Sequence, residues 1–291
     1  MSVTAAEGFG AEGLHAGIKR RRYDMALLAS ADGKPVKAAA VFTQNKFVAP
    51  PVVASPSRLQ KNGGGAVAVI VNSGNANAGT GAPGRVDAEA MCAATAEALG
   101  CDPGDVLVCS TGIIGTPLPI DKILEATPKL AKKLSVKGAR HAAMGILTTD
   151  SIPKEAVVKG SSFTLGGMAK GCGMLAPNMA TMLAFLTTDA DIDQVDMQRL
   201  LKDAADRSFN TLNVDGATST NDTVILLASG RRGKPDLGEF AGALHRVCEE
   251  LTLMMARDAE GMTRMVTLKV VGAASDAQAR AAAKNIAENN L

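Results

Sequence analysis

Short apolar runs bounded by turn residues alternate along the chain with segments whose apolar residues recur at helical spacing. The apolar runs predict buried strands at residues 38–42, 52–54, 66–71, 106–109, 223–228 and 265–271. The helical spacing predicts amphipathic helices at residues 87–99, 120–126, 128–134, 193–207, 240–257 and 276–287. Strands that are apolar on both sides, interleaved with such helices, indicate an α/β fold built as a layered sandwich of sheets covered by helices.

One apolar segment does not fit a plain buried strand. Residues 171–190 (GCGMLAPNMATMLAFLTTDA) are apolar on both faces, yet Asn178 and Thr181 interrupt them and Lys170 precedes them. Its apolar part, residues 174–186, is far shorter than the roughly 20 residues that a membrane span needs, and it contains Pro177. Taken alone, Thr181 is interpreted as a buried strand threonine bonded to a neighbour, and composition by itself favours that interpretation over a catalytic role.

Composition excludes several classes of protein. Hydrophobic residues make up 46% of the chain and charged residues 21%, a globular balance with a formal net charge of only +2. The absence of Trp and the single Tyr argue against a base-stacking surface, and the small net charge indicates no nucleic-acid partner. Five cysteines without CxxC spacing predict neither a zinc site nor disulfides and favour a cytoplasmic protein. The basic run at residues 19–22 is interpreted as a solvated turn.

Most catalytic patterns are missing from the sequence. The three histidines, His15, His141 and His245, are not spaced to share a metal and are interpreted as structural. No P-loop or nucleophile elbow is present, and GFGAEG at residues 8–13 matches a dinucleotide motif only poorly. An enzyme of this sequence therefore needs a nucleophile that carries its own base. An N-terminal threonine does so, because its α-amino group has a pKa of roughly 8 and can accept the hydroxyl proton.

Residues 166–190 supply the context for such a threonine. The phrase GGMAKGCGMLAPNMATMLAFLTTDA closely resembles the cleavage-site signature of the ornithine acetyltransferase (glutamate N-acetyltransferase) family of arginine biosynthesis. Further family-like phrases follow the expected order and span nearly the whole chain: GFGAEGLHAGIK (8–19), AAVFTQNKFVAPPV (39–52), VNSGNANAGTG (71–81), CSTGIIG (109–115), LTTDSIPK (147–154), VDGATSTNDTV (214–224) and RDAEGMTRMV (257–266).

The resemblance implies a role for individual residues. The chain would cut itself between Ala180 and Thr181 by an N-to-O acyl shift, which gives an α segment (1–180) and a β segment (181–291) that begins with the nucleophile. Thr111 and Gly112 match the family's oxyanion-hole pair. The family's substrate contacts fall on Thr148, Lys170, Thr181 and Glu260. A lysine suits an α-carboxylate and a glutamate suits an ammonium group. Asn178, Thr218 and Asn221 are expected to bond the backbone around the site.

The implied reaction moves an acetyl group from N2-acetylornithine to Thr181 and then to glutamate, without a metal or an organic cofactor. Acetyl-CoA is an open second donor, and the resemblance suggests a heterotetramer of two α and two β chains. Two other functions stay open: a related self-processing aminopeptidase, and a shortened non-catalytic homologue. The second arises because the sequence ends at NIAENNL (285–291), where family members normally continue.

Overall fold

A computed structural model describes residues 1–174 and 182–289. Its strands are β1 (Phe9–Leu14), β2 (Met25–Ser30), β3 (Val36–Phe42), β4 (Gly65–Ala66), β5 (Ala68–Asn75), β6 (Val106–Ile113), β7 (Lys154–Lys159), β8 (Thr164–Lys170), β9 (Leu183–Thr188) and β10 (Thr223–Ala228). Its helices are α1 (Pro50–Lys61), α2 (Gly81–Leu99), α3 (Ile120–Lys132), α4 (Ala139–Gly145), α5 (Gln194–Arg207), α6 (Leu237–Arg257) and α7 (Asp276–Glu288).

The strands form two sheets. One has the order β1-β2-β5-β6, in which only β5 and β6 run parallel. The other has the order β4-β3-β10-β9-β8-β7, in which only β10 and β9 run parallel. The second sheet therefore combines strands from before and after the expected cleavage position.

Alternation of side chains along the strands builds three apolar layers. Leu28 of β2 and Phe185 of β9 meet in a central layer between the two sheets. Their neighbours point the other way, so that Leu27 packs beneath α2 and α3, while Leu186 packs beneath α5 and α6. A helix–sheet–sheet–helix sandwich results, and the predicted layered α/β architecture is confirmed.

Three local predictions were wrong. Residues 52–54 belong to helix α1, because Pro50 and Pro51 occupy its first turn, where a missing N–H is no loss. One helix, Ile120–Lys132, replaces the two predicted at 120–126 and 128–134, and within it the Thr127 hydroxyl donates to the Ile123 carbonyl (2.7 Å). Residues 265–271 form no regular structure and are mostly exposed, because no strand in the described part of the chain pairs with them.

Among residues 1–174 and 182–289, no helix combines the length and the apolar character needed to cross a membrane.

Candidate functional site

The predicted oxyanion pair lies at the end of β6, where this strand leaves its pairing with β5. The register between the two strands shifts around Asn75, and Gly112 adopts a φ of +134°. A Cβ atom on Gly112 would lie 2.3 Å from the carbonyl carbon of Gly74, a distance that no side chain tolerates. Only glycine permits this close approach of the two strand ends. The turn fixes the position of the adjacent, buried Thr111.

Lys170 reaches this turn from the opposite sheet. It is the last residue of β8, its side chain is buried, and its Nζ donates to the Thr111 Oγ1 at 3.4 Å. Since an ammonium group only donates, the threonine oxygen must act as the acceptor, which leaves the hydroxyl hydrogen of Thr111 available for another acceptor. The structure thus joins two predicted site residues across the gap between the sheets.

A small cavity of about 10 Å³ opens beside Thr111 and Gly112. Met174 lines it as the last described residue before the segment 175–181, and the loop before β10 lines it through Ser219, Thr220 and Asn221. The Asn221 side chain donates to the carbonyl oxygens of Ala76 (2.7 Å) and Ser110 (2.9 Å), which confirms its expected bonding to the backbone of the site. Thr218 instead accepts a hydrogen bond from the Asn45 side chain, at its hydroxyl and its carbonyl oxygen.

Asp222 holds the chain on the far side of the segment 175–181. Its Oδ1 accepts a hydrogen bond from the Met182 backbone N–H at 2.9 Å, and Met182 follows Thr181 in sequence. The carboxyl is fully buried, and its Oδ2 has no hydrogen-bond partner among the described residues. Burial raises the pKa of Asp222 well above its usual range. The Met182 amide, the Ser219 hydroxyl and the charge of Lys170 act to lower it, but burial outweighs them. No sequence motif marked this residue, although an aspartate directly before a buried strand is a visible signal.

A buried ionic cluster of Asp150, Lys154 and Asp258 lies beside the predicted substrate contacts. Lys154 Nζ contacts Asp150 Oδ1 at 2.7 Å and Asp258 Oδ2 at 2.6 Å, and the Lys154 side chain is inaccessible to solvent. Burial opposes the ionisation of Asp150, but the charges of Lys170 and Lys154 outweigh burial and lower the pKa of the carboxyl. Burial likewise opposes ionisation of Asp258, whose pKa is nevertheless lowered by bonds from Lys154 and Ser151.

The ionic cluster connects the predicted substrate contacts to one another. Asp150 accepts hydrogen bonds from the backbone N–H groups of Thr148 (3.1 Å) and of Gly171 (2.7 Å), the residue that follows Lys170. Asp258 lies two residues before Glu260. Sequence analysis did not identify this cluster, although Asp150 and Lys154 lie within a family-like phrase.

Glu260 is exposed and lies against the segment that follows Lys170. Its backbone N–H donates to the Cys172 carbonyl at 2.6 Å, and a Cβ atom on Gly173 would lie 2.8 Å from the Glu260 carboxyl carbon. Cys172 itself is no ready nucleophile, since burial raises the pKa of its thiol to about 11. Ala180 and Thr181, the expected cleavage pair, lie outside the described residues, as does Asn178.

The basic run at residues 19–22 is not a uniformly solvated turn. Arg20, Arg21 and Arg22 are exposed, but Lys19 is half-buried and its Nζ donates to the Leu147 carbonyl at 2.9 Å. His15 and His141 contact the carboxylates of Asp24 (3.2 Å) and Glu12 (2.6 Å). Both histidines line a second cavity of about 400 Å³, which contains none of the predicted site residues.

Comparison with known proteins gives consistent matches. The family model described as the ArgJ family matches residues 10–291. The arginine biosynthesis bifunctional protein ArgJ of Streptomyces avermitilis is 46% identical over 293 residues, which span 100% of this chain and 76% of that protein. Ornithine acetyltransferase from Mycobacterium tuberculosis, solved in complex with ornithine, shares 40% identity at a TM-score of 0.58, covering 60% of this chain and 94% of the solved chain.

A more distant match concerns the fold alone. The L-aminopeptidase D-Ala-esterase/amidase of Ochrobactrum anthropi, described as a variant of the Ntn hydrolase fold, is 13% identical at a TM-score of 0.56, with coverage of 90% of this chain and 88% of that one. The two-sheet sandwich agrees with that fold, and the family match extends over almost every residue from β1 onward. On its sequence and its architecture, this chain belongs to the ArgJ family.

Proposed function

We propose that this protein is an acyltransferase of arginine biosynthesis that moves the acetyl group of N2-acetylornithine to glutamate through an acetyl ester on Thr181. The observation that carries the proposal is the contact between Lys170 and Thr111 at the turn that Gly112 makes possible. Through this contact, the Lys170 ammonium group and the available hydroxyl hydrogen of Thr111 lie near Met174, after which the segment with the predicted cleavage site begins. The solved ornithine acetyltransferase of Mycobacterium tuberculosis, 40% identical, supports the acetyl transfer, and the name of the Streptomyces avermitilis protein, 46% identical, supports a place in arginine biosynthesis.

The geometry suits acyl transfer in two half-reactions. Thr181 Oγ attacks the acetyl carbonyl carbon and its proton passes to the Thr181 α-amine, while the Thr111 hydroxyl and the Gly112 N–H stabilise the charge that develops on the carbonyl oxygen. The C–N bond then breaks, the α-amine returns the proton, and ornithine leaves. In the second half-reaction the glutamate amine attacks the ester, gives up a proton and releases free Thr181 as N-acetylglutamate forms.

Self-cleavage between Ala180 and Thr181 is part of the proposal, because it creates the α-amine that serves as base. The comparison with the solved ornithine acetyltransferase supports it. Its match covers 94% of the solved chain but only 60% of this chain, so the solved chain is the shorter of the two, as one product of such a cleavage would be. An assembly of two α and two β chains, a place in the cytoplasm and the use of acetyl-CoA as a second donor belong to the same proposal.

Intact-mass spectrometry and a coupled ornithine assay test it together. We expect the wild type to appear as two fragments divided before Thr181 and to release ornithine only when glutamate is present. Thr181→Ala should remain one species and release none. Thr95→Ala, which alters a buried threonine of α2, serves as the matched control and should behave as the wild type. Cleavage or exchange in Thr181→Ala contradicts the mechanism, release to water alone favours an aminopeptidase, and an uncut inert wild type indicates a non-catalytic homologue.

A further inference from the structure

The proposed reaction, on which this inference rests, presents one site with side chains of opposite charge. The side chain of the donor ends in a δ-ammonium group both before and after deacetylation, whereas the side chain of the acceptor glutamate ends in a carboxylate. Both substrates carry an α-carboxylate, which occupies one cation. Lys170 can hold that α-carboxylate and Glu260 can hold the ammonium, but the side-chain carboxylate of glutamate then needs a second cation.

Lys19 lies beside the oxyanion turn, and its ammonium end lies next to Thr148. A Cβ atom on Gly74 would lie 2.7 Å from Lys19 Cγ, so the lysine stem crosses directly over Gly74. Gly74 is the residue paired with Gly112 in the register of β5 and β6. The ammonium end donates to the carbonyl of Leu147, directly before Thr148. Lys19 therefore connects the oxyanion turn with a predicted substrate contact.

The backbone that carries Lys19 is held in place by one carboxylate. Asp24 is fully buried and accepts hydrogen bonds from the backbone N–H groups of four successive residues, at 2.6 to 3.1 Å: Ala16, Gly17, Ile18 and Lys19. Four bonds to one buried group fix the loop before the substrate arrives. The position of the Lys19 stem thus depends on the fold and not on the ligand.

The Lys19 ammonium group forms no direct ion pair within residues 1–174 and 182–289. Among the described residues no carboxylate oxygen lies within 4.0 Å of its Nζ, and the Leu147 carbonyl uses one of its three donors. Burial lowers the pKa of Lys19 to about 8, with Asp24 and Asp150 raising it and Arg22 and Lys170 lowering it. Such an amine binds an arriving carboxylate as a cation, and it gives up its proton readily when an ammonium group occupies the site instead.

We infer that Lys19 is a specificity-determining residue that binds the side-chain carboxylate of the acceptor glutamate. The role is confined to the second half-reaction, because the donor has no carboxylate at that end. It also accounts for the half-buried position of this lysine beside three exposed arginines.

Separate kinetics of the two half-reactions test the inference. Lys19→Met should raise the glutamate KM roughly tenfold to hundredfold, the range for a lost charged hydrogen bond, and leave the acetylornithine KM nearly unchanged. Lys19→Arg should restore most of the affinity. Lys122→Met is the matched control, since Lys122 Nζ donates to the Gly17 carbonyl at 2.9 Å from the outer side of the same loop. The preference for glutamate over glutamine as acceptor should fall only in Lys19→Met.

The pH dependence gives a second measurement that does not require Lys19→Met to fold. The wild-type glutamate KM should rise above about pH 8 as Lys19 loses its proton, and that rise should be absent in Lys19→Arg. An equal change in both KM values, or none in either, overturns the assignment, as does the same pH rise in Lys19→Arg. A wild type without glutamate-dependent ornithine release defeats the proposed function instead, so the two failures are distinguishable.

Discussion

Replacement of Lys154 by methionine tests whether the buried ionic cluster stabilises the fold. Lys154 and Asp150 have no exposed side-chain surface, and the Asp258 side chain is 8% exposed. Removal of the shared cation leaves two buried carboxylates, a change that costs about 3–5 kcal/mol. We expect a loss of about 3 kcal/mol, because Asp150 keeps two backbone N–H donors and Asp258 keeps the backbone N–H and the hydroxyl of Ser151.

Urea unfolding at pH 7 and pH 5 measures this loss and identifies its cause. In the wild type the pKa values of Asp150 and Asp258 are depressed, so their contribution to stability is complete above about pH 4 and is lost as the pH falls through the lowered values. Without Lys154, burial favours protonation of the carboxylates. The difference in unfolding free energy between Lys154→Met and the wild type should therefore shrink at pH 5.

Arg58→Met provides the comparison for a pair that is buried on one side only. Arg58 contacts Glu89 at 2.5 Å, but the Glu89 side chain is 62% exposed and returns to water when its partner is removed. We expect a smaller loss, about 1 kcal/mol, with little change between the two pH values. A loss in Lys154→Met no larger than that in Arg58→Met, or one that is equal at both pH values, refutes the electrostatic explanation.

Two further substitutions examine the site itself. Gly112→Ala should abolish acetyl exchange and lower the unfolding free energy, since its Cβ would meet Gly74, whereas Gly100→Ala at a φ of +71° has no atom within 4 Å and should cost only about 1 kcal/mol. Equal effects of the two changes on exchange would contradict a role for close strand contact. In the wild type, Asp222 should lower the unfolding free energy as the pH rises above about 4, because a buried carboxyl with a raised pKa is stable only while protonated. Asp222→Asn should fold and should remove this loss. Identical pH–stability curves for both proteins would show that Asp222 is charged.

The elements that sequence predicted best are those whose pattern is local. Thr223–Ala228 is buried along its whole length and was predicted with its observed bounds, and α2 ends where Gly100 adopts a positive φ. Residues 265–271 have the same strand-like composition but differ in having no paired neighbour in the described chain, a property that composition cannot encode.

The site residues also divide into those that a local sequence pattern predicts and those that depend on distant partners. Thr111, Gly112 and Lys170 were predicted because they lie inside long family-like phrases, and the structure brings them together. The ionic cluster and the Lys19 contact depend on partners far apart in the chain: Lys154 and Asp258 are 104 positions apart, and Lys19 and Leu147 are 128 positions apart. No local pattern reports such pairs, so they became visible only with the three-dimensional arrangement.

The strand order of the larger sheet determines what a break before residue 181 does to the molecule. Strands β9 and β10 come after that position, and they lie between β3 on one side and β8 on the other, both of which come before it. The two polypeptides that such a break would leave would therefore be interleaved within one hydrogen-bonded sheet, and their separation would require breaking its hydrogen bonds on both sides of the β9–β10 pair. Scission there would expose a new amino terminus in a body that stays whole, because the smaller sheet lies entirely before the break while the larger sheet needs strands from both pieces.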